Sequence, residues 1–85
     1  MMSETMREQL LAFLSETYSV DRGEIPLDES LVDHGIIDSI GLIEIAGFLE
    51  KTFGVRVQEE QMTRENFGSV NRMVDFVERQ RTAGG

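Results

Sequence analysis

Apolar residues recur with a helical period in three stretches of this chain. In the first, Met6, Leu10, Phe13, Leu14 and Thr17 follow the i, i+4, i+7, i+8, i+11 spacing of one helix face. That spacing predicts a helix from about Ser3 to Tyr18. Thr5, with Glu8 three residues on, can form a capping box, and Ser3 is a competing cap. In the second stretch, Leu42, Ile45, Leu49 and Phe53 make one stripe, and Ile40, Ile43, Ala46 and Gly47 make another. They predict a helix from about Ser39 to Phe53, with Gly54 as its C-cap. In the third, Val70, Met73, Val74 and Val77 form an apolar face behind Ser69, a suitable N-cap.

Between the first two helices, residues 19–38 lack a sustained period, and Gly23, Pro26 and Gly35 interrupt them. A connection of this length in a compact domain is often functional. Ile25, Leu27, Leu31, Val32, Ile36 and Ile37 recur through it, so it is expected to pack back onto the helices, with a short helical turn near Asp28–Val32. Val55 and Val57 lead into Glu59-Glu60-Gln61-Met62, read as one short turn of helix. The sequence has no period-2 strand pattern and no internal repeat. The expected fold is all-α: a four-helix bundle of three longer helices and one short one, with a long first loop. Residues 1–85 read as a single domain with an ordered core of about 3–81. Met1-Met2 and the tail 82–85 are expected to fray.

Composition narrows the function. Eighty-five residues leave little room for a deep enzyme cleft beside a core. The chain has no cysteine, so it has no disulfide or thiolate metal site, and any thiol chemistry needs an imported thiol. Net charge is −8 and uneven. Asp21, Glu24, Asp28, Glu29, Asp33, Asp38, Glu44 and Glu50 face only Arg22 between residues 21 and 50, while residues 51–85 are nearly balanced. That sign argues against nucleic acid and for basic protein partners. The longest apolar stretch, Ile36 to Leu49, is broken by Asp38, Ser39 and Glu44 and is too short to span a bilayer. No membrane insertion, a cytoplasmic location and a monomer are expected. His34, the only histidine, has no cysteine or second histidine with which to build a usual zinc or catalytic site. Asp28 to Ser39 lacks the ligand spacing of a calcium loop.

The candidate chemistry lies at Asp38-Ser39-Ile40. Asp38 is a good N-cap and would place Ser39 in the first helical turn. There the amide N–H groups are unpaired and the helix dipole is positive, which suits a phosphodiester on the serine hydroxyl. Ile40, Ile43 and Ala46 nearby would give an apolar patch with an acidic rim, as docking surfaces have.

Asp33-His34-Gly35-Ile36-Ile37-Asp38-Ser39-Ile40 resembles the phosphopantetheine attachment site of the acyl carrier proteins. The resemblance continues through Leu42-Ile43-Glu44-Ile45, Phe48-Leu49-Glu50, Phe53-Gly54-Val55 and Glu65-Asn66-Phe67-Gly68-Ser69-Val70, and covers roughly residues 5–80. It implies a freestanding carrier and not an enzyme. Ser39 would hold a 4′-phosphopantetheine arm, placed there from coenzyme A by a phosphopantetheinyl transferase, with Asp38 as the flanking cap. The arm's thiol would carry an acyl group as a thioester, supplied by an activating ligase and passed to synthase or acyltransferase enzymes. Ile40, Ile43, Glu44, Ala46, Gly47 and Glu50 would form the partner-recognition surface.

Two positions depart from the pattern. Gly41 stands where many fatty-acid carriers have an acid, and Gly47 where a larger partner-facing residue is common. They suggest a less rigid second helix or close approach by a partner, and a specialised lipid or secondary-metabolite pathway over housekeeping fatty-acid synthesis. On this reading Gly41→Asp gains stability, because a negative charge suits the helix start and glycine is costly in a helix. An aminoacyl or peptidyl carrier loaded by an adenylating ligase stays open. From another class, so does an unmodified acidic adaptor whose second helix binds a partner.

Overall fold

A computed structural model describes residues 2–83, with side chains from residue 4 to residue 82. Among them the only regular structure is helical. The order is α1 (Met2–Tyr18), a 3-10 turn (Arg22–Glu24), α2 (Ser39–Phe53), a second 3-10 turn (Glu59–Gln61), α3 (Arg64–Phe67) and α4 (Val70–Ala83). This is the all-α bundle of three longer helices and one short one. The short helix is α3, which begins two residues beyond the end of the segment Glu59–Met62 where the sequence pattern put it. Glu59–Gln61 forms a 3-10 turn instead, closed by reciprocal bonds between Gln58 and Gln61.

Helix ends follow local chemistry. The carboxylate of Asp38 accepts the Gly41 N–H at 2.8 Å to start α2, and Gly54 ends it at φ +70°, a conformation glycine reaches without strain. The Ser69 hydroxyl accepts the Arg72 N–H at 3.2 Å to start α4. At α1 the expected span of about Ser3 to Tyr18 is met to within one residue, but the expected caps are not. Helical backbone already begins at Met2, so Thr5 and Ser3 lie inside the helix and not at its non-helical cap position. Of the ends expected to fray, Met2 lies within α1 and Thr82 and Ala83 lie within α4. Met1, Gly84 and Gly85 lie outside the described residues.

The core joins Leu10 and Leu14 of α1, Ile45 and Leu49 of α2, Phe67 of α3, and Val70, Met73 and Val77 of α4, each no more than 1% exposed. Phe13 stacks on Phe48 at 4.2 Å between ring centres, joining α1 to α2. The long loop contributes Ile25, Leu31 and Ile37 to the core. Leu27 and Val32, also expected to pack inward, are exposed. The expected turn near Asp28–Val32 instead occupies Leu31–Gly35, where Gly35 at φ +73° lets the chain reverse.

Backbone bonds pin the loop to the α3–α4 corner. The Leu31 N–H donates to the Gly68 carbonyl, and the Asn71 N–H donates to the Leu27 carbonyl. The Asn71 side chain accepts from Arg7 Nε at 2.8 Å and donates to Asp28 at 2.7 Å, so one amide links α1, the loop and α4. Each bond is modest, but together they fix the segment that leads into Asp38 and Ser39.

Candidate carrier site at the start of the second long helix

Ser39 is the first residue of α2 and is exposed. The first backbone bond of the helix runs from the Leu42 N–H to the Asp38 carbonyl, and Asp38 Oδ1 takes the Gly41 N–H. The amides of Ser39 and Ile40 therefore sit at the positive end of the helix without intrahelical acceptors. A phosphodiester on the Ser39 hydroxyl would lie next to them.

Ser69, Ser30 and Ser19 are placed differently. Ser69 is 2% exposed and bonded as a cap. The hydroxyl of Ser30 accepts the Asp33 N–H. Ser19 is exposed but follows the C-terminal end of α1, where the dipole repels an anion.

The two apolar stripes of α2 meet different surroundings. Ile45 and Leu49 point into the core, while Ile40 and Ile43 remain 67% and 63% exposed. Gly47 shares their side of the helix, and the space a side chain would fill there is open. Ala46 is different. At 7% exposure it belongs to the core and presents little surface beside Ile40 and Ile43. Glu50 is exposed, but one of its oxygens accepts the Val57 N–H at 2.8 Å, so it also ties down the chain beyond α2. The exposed apolar patch thus narrows to Ile40 and Ile43 beside Gly47, with Glu44 and Glu50 on its rim.

Gly41 reverses the sequence expectation most clearly. It is buried, and a Cβ there would lie 3.0 Å from Ile37 Cβ and 3.1 Å from the Tyr18 hydroxyl. The close approach that glycine permits is by this chain's own Tyr18 and Ile37. Gly41→Asp would drive a carboxylate into that contact, so the expected gain in stability becomes a loss.

No pattern in the sequence singles out Tyr18 beyond the end of the first helix. Its hydroxyl donates to Glu44 Oε1 at 2.7 Å and, weakly, to the Gly41 carbonyl at 3.4 Å. Its ring packs edge-on against Phe13. Burial, the bond to Glu44 and the negative charges of Glu44 and Asp38 push the phenol pKa well above that of a free tyrosine. No sequence period reports such a bond, which joins the end of one helix to the first turns of the next.

His34 lies in the loop with Nε2 2.9 Å from a Glu29 oxygen, and both side chains are exposed. Among the described residues no group of His, Cys, Asp and Glu could hold a metal ion, and no helix is long and apolar enough to cross a membrane.

Residues 8–77 match the family described as phosphopantetheine attachment site. The chain belongs to that family. It is similar to the D-alanyl carrier protein of Streptococcus suis, 31% identical over 72 residues that span 85% of this chain and 90% of the relative. It is 32% identical to the D-alanyl carrier protein of Streptococcus uberis over 73 residues, 86% and 91% of the two chains. With that of Streptococcus sanguinis it shares 28% identity over 78 residues, 92% and 98% of the two. The chain is therefore a non-catalytic carrier whose covalent cofactor is 4′-phosphopantetheine. The family match sets aside the unmodified adaptor. The start of α2 fits such a group: an exposed hydroxyl at the positive helix end, with the neighbouring carboxylate already bound to Gly41.

Proposed function

We propose that Ser39 is the attachment residue and that the carrier's cargo is a small aminoacyl group, loaded by an adenylating ligase. The observation that carries the attachment is Ser39 itself, exposed in the first turn of α2 behind the Asp38 cap. When bound, the arm supplies a thiol that holds the cargo as a thioester. The protein supplies the platform. It keeps Ser39 in a fixed helical turn, offers Ile40, Ile43 and Gly47 as an apolar contact, and surrounds them with acids that attract basic enzymes. Tethering then raises the cargo's effective concentration at each partner.

The aminoacyl cargo has two supports. The similar proteins are D-alanyl carrier proteins. In addition, an aminoacyl thioester bears an ammonium group, which suits the acidic half of this chain. An acyl cargo in a specialised lipid or secondary-metabolite pathway rests only on the departures at Gly41 and Gly47, and Gly41 has an internal packing role. A phosphopantetheinyl transferase, the ligase and a downstream acyltransferase or synthase are the partners on this reading. They meet a monomeric single-domain carrier in the cytoplasm, where coenzyme A and ATP are supplied.

Treatment with coenzyme A and a transferase of broad range should add one phosphopantetheine by intact mass. Peptide mapping should find it on Ser39, and Ser39→Ala should stay apo. An arm on Ser19, Ser30 or Ser69, or a modified Ser39→Ala protein, refutes the attachment site. The holo protein should then take an amino acid as thioester from its adenylating ligase. Loading with a long fatty acid in preference to an amino acid refutes the cargo.

A further inference from the structure

Tyr18 lies outside the patch around Ser39, yet its hydroxyl is bonded to a carboxylate on that patch's rim. Glu44 is exposed, and an exposed glutamate ordinarily samples many rotamers. Here Oε1 is held at 2.7 Å by the Tyr18 hydroxyl. The tyrosine is itself fixed. Its ring packs against Phe13, and its oxygen sits over Gly41, where any side chain would intrude. A carboxylate has lone pairs on both oxygens, so one bond leaves capacity for a partner's cation. Gly41 is what allows the phenol to reach across to Glu44.

We infer that Tyr18 is a positioning residue, which holds the Glu44 carboxylate pre-oriented for a basic side chain of the enzymes that act on Ser39. This rests on the assignment of Ser39 as the attachment residue. A fixed carboxylate loses less side-chain freedom when a partner docks, and that saving strengthens binding. The raised phenol pKa keeps Tyr18 a donor throughout the physiological range, so the arrangement does not switch off near neutrality. Glu50, the other rim carboxylate, is held in a comparable way by the Val57 N–H. Both rim acids on α2 are thus bonded within the chain.

The test is steady-state transfer of phosphopantetheine to the apo protein, with the carrier as varied substrate, for wild type, Tyr18→Phe, Glu44→Gln and the double variant. Tyr18→Phe keeps the ring against Phe13 and removes only the hydroxyl. It should raise KM about two- to tenfold, the fold-change expected when one side chain must be ordered on binding, and leave kcat unchanged. Glu44→Gln should raise KM by at least as much. The double variant should be no worse than Glu44→Gln, because Tyr18 acts through Glu44. Equal KM increases from Tyr18→Phe with and without Glu44→Gln would overturn the inference and leave a purely structural tyrosine. So would a Tyr18→Phe protein with wild-type KM. An unchanged KM for Glu44→Gln would overturn it as well, since no partner would then read that carboxylate. Thermal melts of each variant establish that all are folded at the assay temperature. Failure of the underlying assignment looks different: wild type would accept no arm, or Ser39→Ala would accept one.

Discussion

Gly41→Ala tests the packing that sets the first turn of α2. By helix propensity alone, alanine in place of glycine gains about 1 kcal/mol. The structure puts the new methyl 3.0 Å from Ile37 Cβ, 3.1 Å from the Tyr18 hydroxyl and 3.4 Å from Ile37 Cγ2. Ile37 is buried and anchored next to the Asp38 cap, so its Cβ cannot swing away as a long side chain could. Overpacking of this kind costs about 1–3 kcal/mol. Displacing the Tyr18 hydroxyl from Glu44 adds about 0.5–1.5 kcal/mol. The balance is a net loss of about 0.5–3.5 kcal/mol. For a domain of this size each kcal/mol lowers Tm by about 4–8 °C. Thermal unfolding followed by helical circular dichroism should therefore find Gly41→Ala at least about 2 °C below wild type. Gly41→Asp should fall further, since its carboxylate would sit beside Glu44 and the phenol. In a Tyr18→Phe background one of the three close contacts is gone, so the cost of Gly41→Ala should shrink, as expected for residues in direct contact. A Gly41→Ala protein as stable as wild type would refute the packing argument.

Tyr18 is the only tyrosine and the chain has no tryptophan, so the phenolate absorbance band reports on this one group. Its pKa is raised by burial first and then by Glu44, so the band should not appear around pH 10, where a free tyrosine ionises. The fold favours the protonated phenol. Its contribution to stability is complete below about pH 10 and is lost as pH rises toward the folded pKa, so Tyr18→Phe should flatten the alkaline fall in Tm. An ordinary titration near pH 10 in the folded protein would refute the bond to Glu44. Ser69→Ala removes the cap on α4 and should cost about 0.5–2 kcal/mol, read as a lower urea midpoint at unchanged m-value; an unchanged midpoint would count against that cap. Glu44→Lys should slow transfer to Ser39 at low salt, with the gap to wild type closing as salt screens the charges. Equal rates at low and high salt for both proteins would refute electrostatic docking. Glu50→Lys is the poorer probe, because Glu50 also holds the Val57 N–H.

The sequence by itself determined the parts that local chemistry controls. It placed α2 from Ser39 to Phe53, because Asp38 and Gly54 are strong stop signals at either end of an apolar period. It placed the Ser69 cap, and it carried the resemblance around Ser39 that the family match supports. At α1 the same reasoning found the helix to within one residue but misplaced its cap, since helical backbone runs straight past Ser3 and Thr5. Tertiary structure alone decided the faces of α2. Both of its stripes are apolar, and a helical period tells which residues share a side without telling what that side meets. Packing of α2 against the rest of the core, with Tyr18 of α1 and Ile37 of the loop on Gly41, buried Ala46 and Gly41 and left Ile40, Ile43 and Gly47 in solvent. The same packing brought Tyr18, 23 positions earlier in the chain, onto Gly41, and 26 positions earlier, onto Glu44. A contact between residues so far apart leaves no periodic mark in the sequence, because it depends on how the helices pack and not on the pattern within any one of them.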